Sequence, residues 1–146
     1  MQLSGSHTLN ASISKVWDML MDTDTLARIV PGISRLEQTE GYQYKAIAEI
    51  KLGPVNGSFS GSLSLDNIKI HEGYTLHIKQ NSKIGNADAA VTIGLRPLSD
   101  SQTELSFDGD AKLSGLLART GQRVLSGVAS SLTSQFFQNF EVELTK

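Results

Sequence analysis

The sequence predicts an α+β fold of the order β-α-α-β6-α: a seven-stranded curved antiparallel sheet wrapped around a long C-terminal helix, with an internal cavity. Three observations predict it. Ser114 to Thr145 reads as one amphipathic helix, with Leu117, Gly121, Val124, Leu125, Val128, Ala129, Leu132, Phe136 and Phe140 on one face and Arg119, Arg123, Ser126, Ser130 and Ser134 opposite. From Ile33 the apolar period becomes two and holds for about 80 residues, as consecutive strands require. Small residues occupy both facing walls: Gly5, Ala46, Ala48, Gly61, Ala87, Ala89, Gly109 and Ala111 on the strands, and Gly121 and Ala129 on the helix. Interiors pack to a density of about 0.75, so these positions either let helix and sheet close tightly or leave a cavity. The cavity is the expectation.

Residues 2–10 alternate, with Leu3, Gly5, His7 and Leu9 on one side of a strand. Ser12 reads as an N-cap, and Ile13, Val16, Trp17 and Leu20 follow at the spacing of a buried helical face. A second short helix is capped within Asp22 to Asp24, carries Leu26, Ile29 and Val30, and ends at Pro31-Gly32. The strands then follow. Ile33 to Glu40 is closed by Gly41; Tyr42, Tyr44, Ala46, Ala48, Ile50 and Leu52 face inward in the next; Phe59, Gly61, Leu63 and Leu65 share a face until Asn67 breaks the phase, which predicts a bulge. Tyr74, Leu76 and Ile78 lead to Gln80 and Ser82, and two more strands carry Ala87 to Leu95 and Leu105 to Leu113. The last helix spans about 45 Å at ~1.5 Å per residue. Phe137 lies off its stripe, so its partner changes near the end, to the first two helices. Glu141 and Glu143 oppose the helix dipole, so the last turn is expected to fray. Residues 1–146 read as a single domain without repeats or linkers.

Tight turns between strands alternate between the two ends of a meander. One set is polar: Glu40-Gly41, His71-Glu72-Gly73 and Ser99-Asp100-Ser101. The other combines glycine with apolar residues, and it defines an expected cavity rim of Val30, Pro31, Ile33, Val55, Ile84 and Leu116. The ligand-contacting wall expected behind that rim comprises Tyr44, Ala46, Ala48, Phe59, Gly61, Leu63, Leu76, Ile78, Gln80, Ala89, Val91, Phe107 and Gly109 from the sheet. The helix adds Leu117, Gly121, Val124, Leu125 and Val128. The alternative is that Val55, Ile84, Leu116 and Leu117 pack beneath their own loops.

Composition excludes several function classes. With 13 Lys and Arg scattered along the chain and a net charge of -2, no basic stripe collects phosphates, and no nucleic acid is expected as partner. The absence of cysteine removes disulfides, thiolate nucleophiles and cysteine-ligated zinc. Residues 1–10 lack a signal peptide's basic start and apolar run, and no window approaches a membrane span, so the expectation is a cytoplasmic protein. His7 shares parity with Leu3 and Leu9, which predicts burial. A buried histidine can act as acid or base, but nothing in the sequence identifies the carboxylate or nucleophile that would complete a catalytic set, and a hydrogen-bonded structural role is expected. His71 in a polar turn and His77 on an outward position make a poor metal site with it. No catalytic residue, metal or cofactor is assigned.

The element order resembles the helix-grip fold of the START-like (SRPBCC) superfamily, whose members include lipid-transfer domains, plant pollen allergens and polyketide cyclases. More narrowly, Leu3-Ser4-Gly5-Ser6-His7-Thr8, Val16-Trp17, Val30-Pro31-Gly32, Gly53-Pro54-Val55 with Gly57, Phe59 and Gly61, Gly127-Val128-Ala129, and Gln135-Phe136-Phe137 with Asn139 and Phe140 resemble the family of the carbon monoxide dehydrogenase G protein, an accessory component of that enzyme. The resemblance runs from Leu3 to Phe140. It implies an accessory protein of aerobic molybdenum-containing dehydrogenases, without catalysis of its own, associated with recruiting the enzyme to the membrane and with quinone carriage. This sequence stops at Lys146, without the C-terminal extension that could anchor many members, so peripheral association at the inner membrane face is the most that is expected.

The leading expectation is therefore non-enzymatic binding of a hydrophobic small molecule, quinone- or lipid-like, in the internal cavity, as accessory to a molybdenum-hydroxylase-type dehydrogenase. One rival is a cyclase- or hydrolase-like enzyme using His7 with a pocket tyrosine or glutamine. Another is a ligand-free interaction or maturation module docking through the apolar rim.

Overall fold

The computed structural model describes every residue from Met1 to Lys146. The elements are β1 (Gln2–Leu9), α1 (Ile13–Met21), α2 (Thr23–Ile29), β2 (Ile33–Gln38), β3 (Gln43–Leu52), β4 (Val55–Lys69), β5 (Gly73–Ser82), β6 (Gly85–Ser99), β7 (Gln102–Leu113), α3 (Gly115–Arg119) and α4 (Gln122–Leu144). The strands form one antiparallel sheet in the order β1-β7-β6-β5-β4-β3-β2, so β1 crosses from the start of the chain to pair with the last strand. The helix-grip arrangement expected from the sequence is the one observed.

Local chemistry sets the helix starts. Ser12 Oγ accepts from the Lys15 N–H at 3.2 Å, and Asp22 accepts from both the N–H and the hydroxyl of Thr25. Those bonds hold the Asp22 carboxyl below the usual aspartate range. Asn67 lies at φ 52, in the register shift between Asp66 and Lys69, so the phase break in the sequence is a bulge.

The glycines on the inner face do different work from that expected. A Cβ at Gly61 would run into the Lys79 carbonyl, and one at Gly109 into the Ala90 carbonyl. These positions let neighbouring backbones approach closely, instead of opening space for a guest. At Gly5 the Phe107 ring lies over the backbone of the facing strand, where a Cβ would meet it at 2.8 Å.

Two apolar cores hold the grip. The larger joins Leu9, Val16, Trp17, Met19, Leu20 and Ile29 to Tyr74, Leu95, Leu105, Phe137 and Phe140. It is the second partner that the phase of Phe137 calls for. The smaller joins Val55, Phe59 and Leu117, with Ile50, Ile84, Leu113, Leu125 and Val128 packed on it. Here the rim expectation fails for Val55 and Ile84. The hairpin turns are only Gly53-Pro54 and Lys83-Ile84, because Leu52 pairs with Val55 and Ser82 with Gly85. Val55 is thus a strand residue aimed inward, and 5% exposed.

The C-terminal helix is two helices. Gly121 sits at φ 103, outside the helical region, and caps α4 with nothing within 4 Å of its Cβ direction. The Thr120 N–H bonds to Leu117 O at 3.2 Å, while the Leu117 N–H is fixed to Ile84 O at 2.8 Å. The break resets the helical phase: Leu117 is buried, Val124 is 39% exposed, and Gly121 belongs to no stripe. Nor is the last turn loose. Glu143 receives Arg28 Nε at 3.0 Å and Lys146 Nζ at 3.2 Å, and Glu141 receives His7. Burial opposes charge on Glu143, but the bonds from Lys146 and Arg28 outweigh it and lower its pKa. Side-chain pairing thus offsets the unfavourable dipole. Tyr42, expected inward, precedes β3 and is 50% exposed.

Candidate functional site

A cavity of about 350 Å³ lies between α4 and the concave face. Its origin is legible in the packing. The close approaches of α4 are to α2 and the edge strand β1, so the helix bridges the sheet without resting its backbone on the central strands. Leu63, Leu65, Leu76, Ile78 and Ile93 all face inward yet remain only partly buried. Twenty of the 21 lining residues are hydrophobic, and the exception, Thr133, donates its hydroxyl to Ala129 O at 2.8 Å. No charged side chain lines it. Tyr44 and Tyr74 present the remaining polar groups; burial pushes both phenols up, Tyr74 far above its ordinary value, so both are neutral hydroxyls.

Of the wall residues expected from sequence, Tyr44, Leu63, Leu76, Ile78, Val91 and Phe107 lie on the cavity, as do Val30 and Ile33 from the rim. Ala46, Ala48, Gln80 and Ala89 face the same side beyond its wall, and Gly61 and Gly109 admit the backbone of the neighbouring strand. Phe59, Leu117, Leu125 and Val128 belong to the smaller core with Val55 and Ile84, while Gly121, Val124 and Leu116 are exposed. Pro31 does not line the cavity.

Leu65, Tyr74, Ile93 and Leu105 join the wall, and strand parity had already placed them inward. Ala129, Leu132 and Phe136 come from the helical stripe. Leu20 and Leu26 close one end and Leu3 and Leu36 sit on the two edge strands; nothing in sequence periodicity says that these elements fold over the cavity.

Along the seam between β1 and α4, surface clefts share lining residues with the cavity. One surface cleft there shares Leu3, Phe107, Ala129 and Thr133 with the cavity and is otherwise lined by Met1 and polar residues such as Ser4, Ser130 and Ser134. A second shares Phe107, Thr133 and Phe137 and opens beside His7 and Glu141. His7 is not buried: its side chain is 36% exposed, stacked on Phe137 at 4.4 Å, with Nε2 2.7 Å from Glu141 Oε1. It has the structural partner expected of it, on the outside of Phe137 and away from the cavity wall. No three His, Asp or Glu side chains converge as a metal site would require. No helix is long and apolar enough to cross a membrane.

Known proteins extend these observations. A conserved protein from Geobacillus kaustophilus superposes with a TM-score of 0.96 at 31% identity, covering 99% of this chain and 95% of its own. A START superfamily protein from Mycobacterium smegmatis gives 0.74 at 14% identity over 97% and 95% of the two chains. The Zhui aromatase/cyclase from Streptomyces gives 0.73 at 14% identity over 98% and 92%. At those identities the last two establish the fold alone, which is START-like. No curated protein matches the chain. Residues 5–145 match the CoxG family, named for the G component of carbon monoxide dehydrogenase, and the chain belongs to that family.

Proposed function

We infer that this protein carries a hydrophobic small molecule, quinone- or lipid-like, as a non-enzymatic accessory of a molybdenum-containing dehydrogenase of the carbon monoxide dehydrogenase type. The observation that carries the reading is the apolar, uncharged cavity under α4. Its volume falls in the small-molecule range of roughly 300–1,000 Å³. Burying about 300 Å² of apolar guest surface at ~25 cal/mol per Å² contributes about 7 kcal/mol before ordering costs, enough for reversible loading. The guest enters along the β1–α4 seam, where Leu3, Phe107, Ala129 and Thr133 separate cavity from cleft. The partner rests on the family name, that of a subunit of carbon monoxide dehydrogenase.

A neutral fluorescent probe, N-phenyl-1-naphthylamine, tests the site. It is expected to bind at one equivalent, to be displaced by naphthoquinones, and to be lost on Ala129→Phe, which fills the cavity from the helix side. Uptake unchanged in a folded Ala129→Phe protein would place the guest elsewhere. An enzyme reading would need His7, so turnover of any substrate that disappears in His7→Phe while probe binding persists would favour catalysis instead.

A further inference from the structure

Gln80 is the one side chain in the protein whose hydrogen-bonding atoms are buried without a partner. The residue is 9% exposed, and neither Nε2 nor Oε1 meets a donor or acceptor. It lies on the concave face of β5, two residues beyond the cavity-lining Ile78 and about 7 Å further along the strand. Its register partners are Gly61 on β4 and Ala87 on β6, with Ala46 facing Gly61 from β3. None carries a side chain beyond Cβ, so no neighbour in that rung can answer an amide. On the far side, Ser82 Oγ is already committed, donating to Gly85 O at 2.6 Å and accepting from the Ile84 N–H at 3.2 Å.

A primary amide offers two donors and an acceptor, and burying it unpaired carries the full desolvation cost. Leucine at this position would carry none. The amide lies one inward position past Ile78, outside the cavity's lining, in a rung kept shallow by Ala46, Gly61 and Ala87, so a guest meets it by extending past Ile78.

We propose that Gln80 is the polar anchor of the cavity, hydrogen-bonding a carbonyl or hydroxyl oxygen at the leading end of an otherwise apolar guest. This rests on the carrier reading and narrows it. Because no charged residue lines the cavity, the guest's buried end is uncharged. A free fatty acid entering carboxylate first is excluded, while a cyclic ketone, a quinone or a long-chain alcohol fits. The guest is oriented oxygen-inward, its body between β3–β6 and α4.

The test compares 2-methyl-1,4-naphthoquinone with 2-methylnaphthalene, two probes of like shape that differ in their oxygens, by titration against the full chain and against Gln80→Leu and Gln80→Met. Both variants are expected to melt at or above the wild-type temperature, since the orphaned amide is gone. The naphthoquinone should weaken about five- to tenfold in both variants, and the hydrocarbon should bind each at least as well as the wild type. If both probes bind the wild type and neither variant changes their ratio, Gln80 is satisfied by trapped water and the anchor is overturned while the carrier reading stands. If neither probe binds the wild type, the carrier reading falls and the anchor with it.

Discussion

Along α4, the stretch from Phe136 to Leu144 and the stretch from Gln122 to Ser131 are held to the sheet by very different means. In the first, Phe137 and Phe140 are 6% and 0% exposed among Leu9, Val16, Trp17, Leu20 and Ile29, and the Asn139 amide donates to Ile29 O at 3.0 Å. Arg28 and Lys146 then grip Glu143. In the second, only Leu125 and Val128 touch the smaller core, Val124 is 39% exposed and Gly127 faces open space. From α4 the cavity wall takes Ala129 near the close of the second stretch, Leu132 and Thr133 between the two, and Phe136 and Phe137 from the first. One end of the helix is therefore a firm mount, and the other is a lightly held arm that begins at the break at Gly121. The carrier role proposed above would use both: a mount that keeps the fold when the interior is empty, and an arm whose displacement costs little when a guest enters.

Breaking the mount should produce the largest effect. Phe140→Ala removes a fully buried ring and is expected to cost about 3–5 kcal/mol, read from chemical denaturation. Leu117→Ala acts on the smaller core and should cost about 2–3 kcal/mol, since a small cluster beside exposed residues relaxes more easily. If the two variants lose equal stability, the mount-and-arm distinction is wrong.

A smaller effect is confined to neutral pH. The pKa of Glu143 is lower folded than unfolded, so its pairing stabilises the protein above the ordinary glutamate pKa and is lost as pH falls through the folded value. Glu143→Gln should therefore melt below the wild type at pH 7 and converge with it only as pH falls through the lowered folded value. A constant gap across that range would mean that packing, and not charge, fixes the last turn. The smallest effect has the opposite sign. Gly127 lies inside α4 with free space around it, so Gly127→Ala should stabilise by about 0.5–1 kcal/mol through the unfolded state. If stiffness there resists opening, the same change slows probe uptake along the seam.

The meander of the last six strands, the bulge at Asn67 and the turn of Phe137 towards the first helices were legible because alternation and helical phase report directly on which face is buried, whereas the pairing of β1 with β7 was not. The break at Thr120-Gly121 was not. A glycine inside a helical pattern costs only about 1 kcal/mol, and Leu117 fell in phase with Val124 by spacing alone, although the backbone between them is not helical. The sheet half of the cavity wall could be read in the parity of Leu63, Ile78, Val91 and Phe107. Its closure by Leu20 and Leu26 depends on how short helices pack against the rest of the chain, which periodicity does not encode. The glycines misled for a related reason: Gly61 looks like vacant volume in a sequence, and only the nearness of the Lys79 carbonyl reveals a backbone constraint.

The central claim is that the space under α4 is built for a guest. Native mass spectrometry on protein purified without detergent from its own organism, paired with organic extraction, tests it most directly. The account predicts a stoichiometric adduct, released on extraction as an uncharged apolar molecule bearing oxygen, and absent from Ala129→Phe. Protein that emerges empty and takes up neither added quinones nor neutral lipids would contradict it.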